Sequence, residues 1–203
     1  MPNLETATAI LILWGGIGYL LGSIPFGMIL ARVMNLGNLR DIGSGNIGAT
    51  NVLRTGNKTA AALTLIFDAG KGAVALLLAR YFAGEDAAQL AGVAAMFGHC
   101  YPVWLKFKGG KGVATFLGIM LAYSFPIGAA CCAAWLVGAL GWRISSMGAL
   151  VAAAVSTFLL VFMGAPTALL MGIILTLLVY WRHRGNLARI RAGTEPKIGK
   201  KSG

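Results

Sequence analysis

The sequence has few charged residues and very few acidic ones. Only 11% of its 203 residues are charged, and Asp and Glu together number six. A soluble globular domain usually carries about a quarter charged residues, so this composition argues against one. The hydrophobic fraction of 58% and the 29 glycines are instead typical of a membrane protein, in which glycine allows helices to pack closely.

Histidine and cysteine are scarce as well. Two separated histidines and few carboxylates cannot close a usual metal site, and no nucleotide or flavin motif is visible, so we expect neither metal nor cofactor. The three cysteines, Cys100, Cys131 and Cys132, form no disulfide framework. We interpret them as free thiols that serve as small apolar side chains.

The net charge of +11 would suggest a nucleic-acid partner in a soluble protein. Here the cations lie in a few clusters between apolar runs, and they lack the interleaved aromatic residues of a stacking platform. We therefore predict no nucleic-acid partner. Cytoplasmic loops or a site for an anionic substrate explain the charge better.

Seven mainly apolar runs divide the chain, and a spanning helix needs about 20 such residues. The first run contains Gly22, Ser23 and Pro25, which predict a kink or break in its middle. The fourth and seventh runs are short, so five or six spans are an alternative to seven. The runs are residues 9–33, 59–82, 87–105, 113–124, 127–142, 147–163 and 167–181.

Positive charge is concentrated in alternate connections between these runs. Apart from Arg32, Lys71 and Arg80, every Lys and Arg lies in residues 34–58, 106–112, 143–146 or 182–203. The positive-inside rule makes these four segments cytoplasmic and places the amino terminus outside. The prediction is a single polytopic domain over residues 1–203, an all-α integral membrane protein with about seven transmembrane helices. Lys200 to Gly203 are expected to be a disordered end.

The first cytoplasmic segment is rich in glycine. Gly43, Gly45 and Gly48 satisfy G-x-G-x-x-G, but no strand precedes them and no βαβ unit follows, so they are not a dinucleotide fingerprint. Closely spaced glycines instead let backbone N–H groups converge on an anion. An ordinary polar turn is the alternative. Further donors are the side chains of Ser44, Asn46, Thr50, Asn51 and Arg54.

The second segment contains Gly109, Gly110 and Lys111 directly before the fourth run. The flanking residues do not match a Walker loop. A helix N-terminus nevertheless binds anions through its free N–H groups, and a lysine there adds a second phosphate-binding element. The alternative is a cytoplasmic anchor, which would need the lysines but not the glycines.

The last two segments are less distinctive. Residues 143–146 are interpreted as a turn with an N-cap serine for the sixth run. In a continuous helix, Arg182, Asn186 and Arg189 would follow one stripe, with His183 three residues before Asn186. Neighbouring arginines favour a neutral His183. A basic helix that contacts anionic lipid is the alternative. Within the second run, Asp68 and Lys71 are expected to pair.

Three stretches of the sequence, taken together, resemble the signature motifs of the PlsY-type acyl-phosphate:glycerol-3-phosphate acyltransferase family. They are Gly43 to Arg54, His99 to Thr115, and Arg182 to Arg189, in which Leu187 stands where isoleucine is commoner. Gly22 to Pro25, Asp68 to Gly72 and Gly193 to Pro196 also look familial. The resemblance covers essentially the whole chain.

The resemblance implies a seven-helix fold in the bacterial inner membrane with an active site that faces the cytoplasm. It implies transfer of a fatty acyl group from acyl phosphate to the 1-hydroxyl of sn-glycerol 3-phosphate, which yields lysophosphatidic acid and phosphate. It also implies that the protein contacts the lipid bilayer. Functional coupling to the enzyme that produces the acyl phosphate is consistent with this function. The family needs no cofactor.

The resemblance also assigns roles by motif position. Ser44 and the Gly48–Ala49 backbone would hold the acyl phosphate, and Lys111 would serve the phosphates of both substrates. Arg54, Ser146, His183 and Asn186 would hold glycerol 3-phosphate and aim its hydroxyl, although Ser145 could replace Ser146. The expected catalytic residues are Ser44, Lys111, His183 and Asn186. The expected substrate contacts are Gly43, Gly45, Asn46, Gly48, Ala49, Thr50, Asn51, Arg54, His99, Gly109, Gly110, Ser146 and Arg182.

Acyl transfer is expected to be direct. An acyl phosphate is already a mixed anhydride, so it needs no protein nucleophile. No carboxylate–histidine pair completes a triad near Ser44, and His99 is badly placed to activate Cys100, because adjacent helical residues point about 100° apart. Either His183 or a substrate phosphate oxygen would take the hydroxyl proton. The rival class, an anion transporter, would need polar residues along the spans, and most runs carry almost none.

Overall fold

The computed structural model describes residues 5–199, and within that range it is helical with no strand. Two short 3-10 turns, Val103–Leu105 and Pro166–Ala168, interrupt the helices. The predicted disordered end at Lys200 to Gly203 lies outside the described residues. The α-helices are α1 (Thr8–Gly22), α2 (Phe26–Val33), α3 (Ala49–Leu53), α4 (Lys58–Ala83), α5 (Glu85–Cys100), α6 (Val113–Tyr123), α7 (Phe125–Trp142), α8 (Ser145–Phe162), α9 (Leu169–Arg182) and α10 (Arg184–Arg191).

The predicted break in the first apolar run is confirmed, because α1 ends at Gly22 and α2 begins at Phe26. A break inside a membrane leaves backbone carbonyls that water cannot satisfy. Lys71 of α4 satisfies one of them, since its Nζ donates to the Ile24 carbonyl at 2.9 Å. The same Nζ lies 2.8 Å from Asp68 Oδ1, so the expected pair exists and braces the break.

Four helical segments of the described chain are long and apolar enough to cross a membrane. They are Thr8–Val33, Lys58–Ala83, Phe125–Trp142 and Ser145–Phe162. A fifth arises if Pro166–Arg182 and Arg184–Arg191, which meet at a bend of 59°, are counted as one span. Each of the seven predicted apolar runs does form helix, but the number of seven spans and the orientation stay predictions.

Small residues allow the helices to approach closely. The α1 helix packs along α5, where a Cβ on Gly18 would lie 2.4 Å from the Ala91 carbonyl oxygen and one on Gly22 would lie 2.0 Å from that of Ala95. The α4 helix packs against both α5 and α6, and α8 packs against α7 and α9. This small-residue packing is the usual means of association for membrane helices, because lipid provides no hydrophobic drive.

Three local predictions are wrong at helix ends. The third run was expected to stay helical to Leu105, but α5 ends at Cys100 because the chain turns at Pro102. The expected N-cap serine of α8 is absent, because Ile144 is the N-cap and makes no side-chain cap. The stripe on one continuous helix does not form either, since the chain bends between α9 and α10 at His183.

Candidate active site

One cavity of about 970 Å³ gathers most of the predicted site residues. Its wall includes residues from every helix from α3 to α10 and from the connecting loops. All the expected catalytic and substrate-contacting residues line it except Gly45, Gly109 and Gly110. Ser145 lines it together with Ser146, so the structure leaves both serines at the cavity.

The Gly43–Arg54 loop is held in shape by a buried amide. Asn51 donates from Nδ2 to the carbonyls of Leu39 at 3.0 Å and Asn46 at 2.7 Å. Its Oδ1 accepts the Ser44 N–H at 3.0 Å. Gly43 has φ +54, and a Cβ there would lie 2.8 Å from the Asn51 Oδ1. Glycine is therefore required at this position, and Asn51 acts on the loop from beneath.

The same loop leaves donors free at its surface. Within residues 5–199, the N–H groups of Gly48, Ala49 and Thr50 have no hydrogen-bond acceptor. The side chains of Ser44 and Arg54 are exposed beside them. This cluster of free donors is what a phosphate oxygen requires. The Gly45 N–H, by contrast, donates to the Ile42 carbonyl at 2.9 Å, so the prediction that Gly45 contacts substrate is not supported.

The Lys111 loop is fixed by its own backbone. The N–H groups of Gly109 and Gly110 donate to the carbonyls of Cys100 at 3.1 Å and His99 at 3.0 Å, so they are not available to an anion as predicted. A Cβ on Gly110 would lie 2.1 Å from His99 Nε2, which shows how tightly the loop lies on α5. These glycines allow the loop to lie close to α5, and the loop in turn places Lys111 two residues before the start of α6.

Arg182 fixes the loop from the other side. Its Nε donates to the Gly110 carbonyl at 3.0 Å and its Nη2 to the Gly109 carbonyl at 3.1 Å. The guanidinium also lies over the Tyr101 ring, 5.0 Å from its centroid. Arg182 lines the cavity, but its donors are directed largely at the protein. Arg182 therefore stabilises the loop that carries Lys111.

Lys111 and Asn186 meet in the cavity, where Lys111 Nζ donates to Asn186 Oδ1 at 2.6 Å. Burial lowers the pKa of Lys111 to about 8, and the nearby cations Arg189 and Arg54 act in the same direction. The Glu195 carboxylate opposes this shift. An anionic ligand would therefore bind an ammonium that is already poorly solvated, and such pairs are stronger than exposed ones.

His183 is held as a neutral base. Its Nδ1 lies 2.8 Å from the Val179 carbonyl oxygen, which can only accept, so Nδ1 carries the proton. Burial, with a smaller contribution from the positive charge of Lys111, lowers the pKa of His183 to about 4. The unprotonated Nε2 has no hydrogen-bond partner within residues 5–199 and is left for a ligand. This agrees with the expectation of a neutral His183.

Sequence reasoning missed Glu195, which lies at the centre of the site. Its Oε1 accepts from Ser146 Oγ at 2.6 Å and from Asn186 Nδ2 at 2.5 Å, and its Oε2 accepts from Arg189 Nε at 2.7 Å. Burial alone would raise the pKa of Glu195, but these hydrogen bonds hold it below its usual value. We call Lys111, Ser146, Asn186, Arg189 and Glu195 the Glu195 network.

Arg40 is a second omission. Its Nη1 donates to the Gly45 carbonyl at 3.2 Å, and its Nη2 donates to the Lys108 carbonyl. It therefore links the Gly43–Arg54 loop to the Lys111 loop. No pattern in the sequence indicates this link. For Glu195 a signal did exist, because residues Gly193 to Pro196 resemble the family.

Part of the cavity wall is apolar. It consists of Leu65, Leu117, Trp135 and Leu136, which come from α4, α6 and α7. Leu65 is 49% exposed and Leu136 is 51% exposed, so this part of the wall reaches the apolar outer surface of the helices. The cavity therefore offers a polar compartment and a lipid-accessible compartment in one continuous space.

Asp68 and His99 form the deeper polar wall. His99 Nδ1 lies 3.6 Å from Asp68 Oδ1, and both side chains are buried. Thr115 fixes the same turn of α4, since its hydroxyl donates to the Asp68 carbonyl at 2.8 Å. Within residues 5–199, His, Cys, Asp and Glu form no group of three or more that could hold a metal ion.

Within residues 5–199, fold and cavity together define an all-helical membrane protein whose cavity is lined by cations, free N–H donors and apolar side chains. Residues 12–193 match the family described as Glycerol-3-phosphate acyltransferase. A protein of that name from Roseobacter denitrificans is 68% identical over 198 residues, which cover 98% of this chain and 99% of the relative. A relative of the same name from Ruegeria pomeroyi is 68% identical over 202 residues, covering 100% of both chains.

Solved structures agree. The glycerol 3-phosphate form of PlsY, an integral membrane glycerol 3-phosphate acyltransferase, superposes with a TM-score of 0.88 at 37% identity, over 93% of this chain and 96% of that one. Its lysophosphatidic acid form gives a TM-score of 0.87 at 36% identity, over 93% and 95%. The chain belongs to the PlsY family of glycerol-3-phosphate acyltransferases.

Proposed function

We propose that the protein transfers a fatty acyl group from acyl phosphate to the 1-hydroxyl of sn-glycerol 3-phosphate. The products are lysophosphatidic acid and inorganic phosphate. One observation carries the proposal: a single cavity joins a cluster of cations and free N–H donors to an apolar end that opens onto the lipid-facing surface. Two phosphates and one acyl chain match these two compartments. The glycerol 3-phosphate and lysophosphatidic acid forms of the related PlsY support the same acceptor and product.

The donor phosphate would bind at the Gly43–Arg54 loop. The free N–H groups of Gly48 and Ala49 and the Arg54 guanidinium offer it oxygen-binding donors, and the Ser44 hydroxyl would turn from Asn51 Oδ1 to join them. The acyl chain would then extend past Trp135 and Leu136 toward lipid. Lys111 would lie between the donor phosphate and the acceptor phosphate and counter the charge of both.

The acceptor would bind at the Glu195 network. Its 1-hydroxyl oxygen attacks the carbonyl carbon of the acyl phosphate, the carbon–oxygen bond to phosphate breaks, and inorganic phosphate leaves. The hydroxyl proton goes to His183 Nε2 or to a phosphate oxygen. The protein contributes position and charge stabilisation, which are the main requirements when the leaving group is already good.

The donor and the direct step can be tested with purified protein in detergent. Palmitoyl phosphate with glycerol 3-phosphate should release inorganic phosphate and form lysophosphatidic acid. Palmitoyl-CoA in place of palmitoyl phosphate should give no product, because it brings no acyl-linked phosphate to the Gly43–Arg54 loop. A folded sample that releases no phosphate would favour the rival function, anion transport.

We further infer that the cavity faces the cytoplasm of the bacterial inner membrane and that the chain spans it seven times. The clustering of cations at the cavity end of the helices supports this orientation. Single cysteines at Glu85 and at Lys106 of a cysteine-free variant should react with an impermeant label from opposite sides. Reaction of both from one side would refute the topology.

A further inference from the structure

The Gly193 to Pro196 tail lies outside the three signature stretches, yet it enters the cavity. The chain leaves α10, and the Thr194 N–H donates to the Arg189 carbonyl at 2.9 Å. Further on, the Ile198 N–H donates to the Arg143 carbonyl at 2.7 Å, so the tail crosses from α10 to the turn between α7 and α8. Between these two bonds the Glu195 side chain is inserted, and it is only 6% exposed.

Glu195 determines which atoms of its neighbours remain for a ligand. An ionised carboxylate can only accept hydrogen bonds. The single hydroxyl hydrogen of Ser146 is therefore donated to Glu195 Oε1, and the two oxygens lie 2.6 Å apart. Ser146 Oγ then offers the cavity lone pairs and no donor. Asn186 likewise directs an amide N–H to Glu195, and its oxygen accepts from Lys111.

His183 presents the same polarity beside Ser146. Its proton lies on Nδ1, which donates to Val179, so Nε2 is an acceptor. Donors near these two acceptors include Lys111, Arg54 and the second Asn186 hydrogen, and these suit phosphate oxygens. The acceptor compartment is therefore divided into donors for a phosphate and two acceptors for hydroxyl groups.

We propose that Glu195 is a specificity-determining residue, which makes Ser146 a hydrogen-bond acceptor and so selects a polyol phosphate over its keto analogue. This rests on the proposed function and names the chemistry that its acceptor compartment requires. Glycerol 3-phosphate brings two hydroxyl donors to Ser146 Oγ and His183 Nε2. Dihydroxyacetone phosphate keeps the primary hydroxyl for His183 Nε2 but has a carbonyl oxygen at the second carbon, which faces the Ser146 lone pairs and leaves Ser146 Oγ without a donor.

The first test uses the wild-type protein alone. Binding of three ligands is measured calorimetrically in detergent without an acyl donor: glycerol 3-phosphate, 1,3-propanediol monophosphate, which lacks the 2-hydroxyl, and dihydroxyacetone phosphate. We expect glycerol 3-phosphate to bind roughly ten- to hundred-fold more tightly than the keto compound. The keto compound should bind no better than the deoxy compound. Tighter binding of the keto compound than of the deoxy compound would overturn the proposal, as would absence of glycerol 3-phosphate binding.

The second test reverses the polarity of Ser146. In Glu195→Gln, the amide oxygen is drawn to the charged Arg189, which turns the amide NH₂ toward Ser146 and Asn186 Nδ2. Both then lose the acceptor that Oε1 provided, and the serine hydrogen is freed. The preference for glycerol 3-phosphate over the keto compound should then fall by about tenfold. Lys197→Gln, an exposed change on the same tail, is the matched control and should keep the wild-type ratio. An unchanged ratio in a folded Glu195→Gln protein refutes the inference.

Phosphate release from palmitoyl phosphate, measured on the same samples, separates this inference from the proposed function. Selective binding without turnover would leave the inference standing and count against acyl transfer. Turnover together with tighter binding of the keto compound than of the deoxy compound would support acyl transfer and refute the inference. If Glu195→Gln does not fold, the three-ligand order of the wild-type protein decides alone.

Discussion

The Gly43–Arg54 loop and the Glu195 network form two walls of one cavity, but they are prepared for ligands in different ways. The loop takes its shape from Asn51 beneath it and keeps several N–H donors free. In the network, each polar side chain already bonds to another, from Lys111 through Asn186 to Glu195. At the loop a ligand can bond to N–H donors that are already free, whereas at the network it must match the atoms that remain.

This difference separates binding strength from selectivity. Free donors at the loop suit any phosphate that reaches them, since a backbone N–H does not distinguish one phosphate ester from another. A network with assigned donors and acceptors rejects a ligand of the wrong polarity, because a buried unpaired group costs more than a good hydrogen bond contributes. In the proposed function Lys111 would take part in both, and variants can test this division.

The largest effect is expected for Lys111→Ala. This change removes the ammonium that would face both phosphates and leaves Asn186 Oδ1 without its donor. A lost charge-assisted hydrogen bond of about 3 kcal/mol corresponds to a loss of roughly a hundred-fold in kcat/KM. Lys108→Ala, an exposed change in the same loop, should keep wild-type activity. Equal activity of the two variants at subsaturating substrate would remove Lys111 from the site.

A smaller loss is expected for Arg54→Ala, because Arg54 is exposed and acts beside other free donors of the loop. A loss of roughly ten-fold in kcat/KM should appear in titrations of the acyl phosphate, and Arg32→Ala, an exposed change in the last turn of α2, is the control. If Arg54→Ala instead alters the selectivity between glycerol 3-phosphate and its keto analogue, the division between loop and network is wrong.

The pH profile sharpens the comparison, because the two titrating residues have opposite requirements. Lys111 must be protonated to bind phosphate, and its pKa is lowered to about 8 by burial, so kcat/KM should fall as pH rises through about 8. His183, whose pKa is lowered to about 4 by burial, stays neutral at all higher pH values. Lys111→Arg should shift the upper limb to higher pH, since guanidinium stays charged. An upper limb unmoved in that variant would assign the limb to another group.

Local patterns in the sequence predicted much of this molecule. The break between α1 and α2 followed from Pro25 and its neighbours, and the Asp68–Lys71 pair followed from two charges at depth. The expected site residues, apart from Ser146, lie in three compact segments of the sequence, and most of them line one cavity. Their roles in catalysis stay predictions.

Tertiary features were not predictable in the same way. Glu195 reaches Ser146 only because the tail turns back across the cavity, and no local pattern encodes that path. The bend at His183 was missed because an apolar run followed by polar residues does not indicate where one helix ends and the next begins. The glycines of the Lys111 loop were read as anion donors, whereas their close packing on α5 depends on a distant helix.

The smallest effect is expected for Cys100→Ser, which tests whether either wall supplies a nucleophile. Cys100 is fully buried and does not line the cavity, although it neighbours His99. Ser44 does line the cavity, but its hydroxyl lies 3.3 Å from Asn51 Oδ1, an amide oxygen that cannot act as a general base. Direct attack by the acceptor hydroxyl therefore needs neither residue as a covalent intermediate.

Cys100→Ser should keep its activity, and Ser44→Ala should lose activity through weaker binding of the donor phosphate. Wild-type protein incubated with labelled acyl phosphate alone, quenched in acid and weighed intact, should carry no acyl group. A stoichiometric adduct on Ser44 or Cys100 that glycerol 3-phosphate discharges at the rate of turnover would show instead that the loop wall supplies a nucleophile.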